Sequence, residues 1–153
     1  MSGKLDKKVA FVLAFRDFKD DEYFIPRQIL ESAGAGIVNI SDKVGMAIGT
    51  DGGEANIRFT LKEMKNRGLL GIDAIFFVGG PGAISRLDND ISYSIARLAL
   101  SRGMILGAIC ISPIILAKAG VLQGKRLLFG QVKPIKLQLM FYKKMEPFLK
   151  TSQ

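Results

Sequence analysis

Met104–Ala119 reads M-I-L-G-A-I-C-I-S-P-I-I-L-A-K-A and holds the only cysteine of the chain, Cys110. Met104–Ile109 is apolar and strand-like. Past Cys110 come Ser112, Pro113 and an apolar run at helical spacing. A short buried strand that breaks into a helix, with a thiol at the break, is the pattern of a nucleophile elbow. A lone cysteine is commonly just a small buried hydrophobe. Its place between a strand end and a helix start argues for more, because a helix N-terminus favours the thiolate and lowers the thiol pKa.

Working outward, the flanking segments alternate in the same way. Ile72–Val78 (I-D-A-I-F-F-V) reads as a buried strand and runs straight into Gly79-Gly80-Pro81-Gly82. Asp90 is placed to cap a helix to about Arg102, with Ile91, Ile95 and Leu98 at helical spacing and Gly103 closing it. Lys8–Phe15 is nearly all apolar, as a strand buried on both faces of a parallel sheet must be. Arg16–Asp21 is a charged loop, after which Asp20 or Asp21 can cap a helix to about Ala33. Ile25, Ile29 and Leu30 form its expected apolar face, and Pro26 sits early, where its missing N–H costs least. Gly36–Ile40 is a second strand, Val44–Ile48 a weak one, Leu61–Arg67 a short helix and Ser112–Ala119 the helix after the elbow. The alternation predicts a single α/β domain, doubly wound, with a mostly parallel sheet and helices on both faces. Ligand sites in such sheets lie at the carboxyl ends of the strands. Arg16–Glu22, Gly79–Gly82 and Cys110 all fall there.

Composition narrows the chemistry. The chain has 153 residues, 48% of them hydrophobic and 24% charged, an ordinary globular balance. No apolar stretch approaches the ~20 residues needed to span a bilayer. Val9–Phe15 is too short for a signal segment, so a cytoplasmic location is expected. There is no histidine, so one chain can form no Cys-His dyad, Ser-His-Asp triad or histidine metal site. A carboxylate, a backbone group or water must be the proton partner of Cys110. The net charge of +8 points toward an acidic partner, but half of it (five lysines against one glutamate) sits in residues 127–153. That placement makes a nucleic-acid partner a poor expectation.

Two further features complete the candidate site. Glu22, in the first turn of its helix, is by itself an ordinary solvated charge. If it points over the sheet end toward Cys110, two anions repel and one must hold a proton. Glu22 with a raised pKa, donating to a Cys110 thiolate, is then the low-energy arrangement and supplies acid/base chemistry. Gly79–Gly82 can be a plain tight turn, or its backbone N–H groups can hold an oxyanion beside the sulfur. It lacks the lysine and hydroxyl of a phosphate loop.

The chain resembles the ThiJ/PfpI superfamily, flavodoxin-like α/β proteins related to class I glutamine amidotransferases. The resemblance runs from about Lys8 to Arg126. It rests on D-D-E-Y-F-I-P at Asp20–Pro26, D-A-I-F-F-V-G-G-P-G at Asp73–Gly82, A-I-C-I-S-P at Ala108–Pro113 and L-A-K-A-G-V-L-Q-G-K-R at Leu116–Arg126. It implies Cys110 as elbow nucleophile, Glu22 as the carboxylate that hydrogen-bonds it, and oxyanion-hole N–H groups at Gly80 and Ile111. It implies no cofactor or metal, a homodimer or higher homo-oligomer, and a small reactive carbonyl or a glycated protein as substrate. The activities it suggests are conversion of glyoxal or methylglyoxal to hydroxy acids, protein deglycation, peptidase action, or non-enzymatic oxidant sensing through Cys110. Peptidase-type members carry histidine after the cysteine; here that residue is Ile111, which argues against a peptidase.

Beyond Arg126 the resemblance stops. Residues 127–153 show no clean periodicity where the family continues with strands and a last helix. Codons GCT ACT GTT TGG, for the family-like Ala-Thr-Val-Trp, spell Leu127-Leu128-Phe129-Gly130 when read one base later. The expectation is that the tail is out of frame and that the chain is a truncated member.

Overall fold

A computed structural model describes residues 6–123 and 140–141. The tail reading therefore lies outside the described residues, apart from Met140–Phe141.

The strands are β1 (Lys8–Val12), β2 (Arg16–Phe18), β3 (Gly36–Ser41), β4 (Gly45–Gly49), β5 (Glu54–Ile57), β6 (Phe59–Thr60), β7 (Ala74–Phe77), β8 (Ile105–Ala108) and β9 (Met140–Phe141). The helices are α1 (Asp20–Ser32), α2 (Leu61–Asn66), α3 (Pro81–Leu87), α4 (Asp90–Ser101) and α5 (Pro113–Lys118). The main sheet has the order β6-β3-β1-β7-β8-β9. Its first five strands are parallel, and β9 runs antiparallel to β8. This is the flavodoxin-like α/β architecture that the alternation implies. A small second sheet, β2-β4-β5, adds to it: the weak strand expected at Val44–Ile48 is its β4, and the charged loop expected at Arg16–Asp21 instead begins with β2.

β1 shows why the centre reads as an unbroken apolar run. Ala10, Val12 and Ala14 pack on one side with residues of α2, α3, α4 and α5. Val9, Phe11 and Leu13 pack on the other with Tyr23 of α1 and with the small sheet. Both faces are dry, so alternation in polarity has no function there. The chain leaves β1 toward β3 and β6, then returns across β1 to β7. The loops after β1 and β7 thus part in opposite directions, which opens a crevice at their carboxyl ends.

Three expectations need correction. The apolar face assigned to α1 is misplaced: Ile25 is 44% and Ile29 60% exposed, while Tyr23 and Pro26 are buried. Asp20 does not cap α1; the cap position is Lys19, with no side-chain cap bond. Asn89 rather than Asp90 caps α4, its Oδ1 accepting from Ser92 N–H at 3.1 Å. The Thr60–Glu63 capping box accounts for α2 despite its shortness. Among the described residues, no helix is long and apolar enough to cross a membrane.

Candidate active site

The thiol stands where the chain turns most sharply. Cys110 follows β8 after one residue, Ile109, and has φ of 60°, one of three non-glycine residues among those described with positive φ. L-residues rarely adopt this conformation, at a cost of about 1–3 kcal/mol, and it recurs where a site demands it. The turn is held on its far side by Ser112. Its buried hydroxyl donates to the Val78 carbonyl at 2.7 Å, tying the elbow to the end of β7. Ser112 thus serves the neighbouring strand and does not cap α5. Pro113 opens α5, where its missing N–H is least costly.

The loop after β7 meets the start of α1 at Gly79. Its N–H donates to Glu22 Oε2 at 3.0 Å. Its carbonyl accepts from Lys19 N–H at 3.0 Å. Both backbone groups of one residue are thus committed to the same turn of α1. A Cβ on Gly79 would lie 2.5 Å from Glu22 Oε2, 2.7 Å from Cys110 Cβ and 2.9 Å from the Ile109 carbonyl. Carboxyl and thiol crowd a single point, and only glycine leaves room for them. Gly80 (φ 115°) and Gly82 do the same for residues 16–19: a Cβ on Gly82 would sit 1.9 Å from the Arg16 carbonyl oxygen. The glycine run is therefore more than a tight turn. It lets the β1 loop pack against α3 and brings Glu22 to the sulfur.

Sequence reasoning placed Cys110, Glu22, Gly80 and Ile111 at the carboxyl end of the sheet, and the structure brings all four together. The backbone amides of Ile111 and Gly80 and the Glu22 carboxyl are the polar groups that act on the sulfur. Burial holds the Glu22 carboxyl above its ordinary range, opposed by hydrogen bonds from Cys110 and Gly79. Burial also pushes the Cys110 thiol up, followed by the charge and hydrogen bond of Glu22; the amides of Ile111 and Gly80 act against them. The expected lowering by the helix N-terminus is thus outweighed. α5 has only six residues, and burial first and the Glu22 acid second act in the other direction. The two acids also act on one another, the thiol lowering Glu22 and Glu22 raising the thiol, so they titrate as a pair. Gly79 itself, as the link between them, was not singled out from the sequence beyond its place in the glycine run.

Comparison with known proteins gives this geometry its relatives. The DJ-1/PfpI family model matches residues 7–138. An uncharacterised protein of Methanocaldococcus jannaschii is 32% identical over 120 residues, which are 78% of this chain and 57% of that protein. A deglycase of Pyrococcus abyssi is 30% identical over 75% of this chain and 68% of its own length. The chain thus spans little more than half of the first relative and about two thirds of the second. Among solved structures, a ThiJ/PfpI domain protein from Brachyspira murdochii superposes with a TM-score of 0.74 at 32% identity. That match covers 82% of this chain and 70% of the other. With the sheet order, the elbow and these matches in agreement, the chain belongs to the DJ-1/PfpI family.

Proposed function

We propose that the chain is a cofactor-free deglycase or glyoxalase-like enzyme in which Cys110 is the nucleophile and Glu22 the acid/base. The observation that carries this is the meeting of Glu22, Gly79 and the positive-φ Cys110 at one point. We assign it a resting form with the shared proton on Glu22 and the negative charge on sulfur, a form that burial and the charge of an ionised Glu22 oppose and the amides of Ile111 and Gly80 favour. Two backbone N–H groups then face the anion, and the opposing charge of Glu22 is gone. The names of relatives support the substrate class: a deglycase in Pyrococcus abyssi, and a protein/nucleic acid deglycase in Escherichia coli at 28% identity.

With methylglyoxal, the sulfur adds to the aldehyde carbon and Glu22 gives its proton to the carbonyl oxygen, forming a hemithioacetal. The Gly80 and Ile111 N–H groups are placed to receive the oxyanion that develops. Glu22, now ionised, takes the proton from the former aldehyde carbon and returns it to the neighbouring carbon. The hydroxyl proton on the former aldehyde oxygen passes to the neighbouring oxygen, which leaves a hydroxyl there and a thioester at sulfur. Water hydrolyses the thioester to lactate and frees Cys110. An amine adduct first expels its amine, the hydroxyl proton passing to nitrogen as the aldehyde re-forms, and the same steps then consume one water.

The test is lactate formation by the wild type and by Cys110→Ala. The substitution should abolish turnover while the circular dichroism spectrum is retained. Equal turnover in the two proteins, or none in the wild type, overturns the proposal. Absence of turnover together with a two-oxygen mass gain at Cys110 under peroxide would instead favour an oxidant sensor.

A further inference from the structure

Asp20 is the one buried charged side chain among the described residues, at 6% exposure. It does not cap its own helix. Its carboxylate instead accepts from Gly53 N–H at 2.6 Å, Asp51 N–H at 2.9 Å and the Thr50 hydroxyl at 3.3 Å, all on the turn between β4 and β5. These donors hold it below the ordinary carboxylate range despite burial. The turn is shaped to receive it: a Cβ on Gly49 would lie 2.3 Å from Asp20 Oδ2, and one on Gly53 2.4 Å from Oδ1. Two further bonds join the same segments, Thr50 N–H to the Phe18 carbonyl at 2.9 Å and Lys19 Nζ to Asp51 at 3.3 Å.

Residues 18–20 are thus gripped from two sides. The β4–β5 turn holds one side, and Gly79, through the Lys19 amide, holds the other. Glu22 lies two residues further on, in the first turn of α1. Its reach to Gly79 and Cys110 depends on where that turn sits, and a displacement of about 1 Å is enough to lose such a contact. We propose that Asp20 is a positioning residue, which holds Glu22 against Cys110 by pinning the start of α1 to the β4–β5 turn.

This rests on the coupled Cys110–Glu22 pair of the proposed function but not on turnover. The charged groups acting on Glu22 besides Cys110 are Lys19 and Asp21; those around Asp20 include Lys19 and Asp51. The readout is the pH midpoint for alkylation of Cys110 by iodoacetamide, followed by mass. With Glu22 present, Asp20→Asn should shift the midpoint by about one pH unit. A displaced Glu22 changes both the hydrogen bond and the charge that it sets against the sulfur, each of which acts on the thiol.

In a Glu22→Ala background nothing remains to be positioned. There Asp20→Asn should leave the midpoint within about 0.2 unit of the Glu22→Ala value, as expected when one residue acts through another. An equal shift in both backgrounds, or no shift with Glu22 present, overturns the proposal. Should Asp20→Asn fail to fold, Thr50→Val removes only the 3.3 Å hydroxyl bond. It is then judged in the same way: a shift of about 0.3 unit that requires Glu22 supports the proposal, and no such difference overturns it. Alkylation needs no substrate, so loss of methylglyoxal turnover would refute the proposed function and leave this test standing.

Discussion

Glu22→Gln tests where the shared proton rests. Glutamine has the shape of a protonated Glu22 and can still donate to sulfur, but it can never carry charge. If Glu22 is already ionised when Cys110 titrates, that charge opposes the thiolate at hydrogen-bond range. At ~4 Å and an effective dielectric near 20, such a repulsion corresponds to about 3 pKa units. Cys110 is open to solvent, so screening brings the figure to roughly 1–3 units. Removing the charge would then lower the Cys110 midpoint by that amount. If the proton sits on Glu22 instead, the wild-type thiolate already forms beside a neutral donor. Glu22→Gln then leaves the midpoint within about 0.3 unit. The proposed resting form predicts the second result. The assay is the rate of iodoacetamide addition to Cys110 between pH 4 and pH 10 for both proteins, read by intact mass. A midpoint one unit or more lower in Glu22→Gln refutes a Glu22-held proton.

Other consequences follow from the same geometry. Gly79→Ala places a methyl group against Glu22 Oε2, Cys110 Cβ and the Ile109 carbonyl, all within 3.0 Å. It should cost about 1–3 kcal/mol in urea unfolding and reduce lactate formation; wild-type values for both would show that the close approach has slack. Asp42 accepts from Phe15 N–H and Arg86 Nη1, both at 2.9 Å, and lies below its ordinary range because these donors outweigh burial. A carboxyl with a lowered folded-state pKa stabilises above its unfolded value, near 3.8, and that stabilisation is lost as the pH falls through the folded-state value. Asp42→Asn should therefore be about 1–3 kcal/mol less stable at pH 7, with the gap closing below pH ~4. A gap that is constant with pH would mean that the charge is not what the donors hold.

The parts legible in the sequence are those that one segment determines by itself. β1 and β7 read as apolar runs because each is buried on both faces, and Cys110 stands out because an apolar strand breaks into Ser-Pro. The parts that were missed depend on two segments at once. Glu54–Ile57 does alternate, with Ala55 and Ile57 buried, yet four residues among glycines carry too little pattern without β4 beside them. Pro81 at the head of α3 is a helix-start signal that a glycine-turn reading of Gly79–Gly82 conceals.

α1 is the most informative case. Its isoleucines suggest one inward face, but the helix is rotated otherwise. Successive helical residues turn about 100° apart. With Tyr23 against the sheet, Ile25 lies about 200° around the axis and faces out, and Ile29 follows it one turn later. Tyr23 can take the inner position because Arg27 Nη1 donates to its phenol oxygen at 2.5 Å, so its ring is buried without an orphaned hydroxyl. The rotation that buries Tyr23 and Pro26 also aims Glu22 across the sheet end to Gly79 and Cys110. Helix propensity and apolar spacing contain no information about that demand, because its partner lies 57 residues downstream. The exposed isoleucines and the reach of Glu22 thus belong to one rotation of α1: the orientation that brings its first turn to Gly79 leaves its hydrophobic pattern partly unburied.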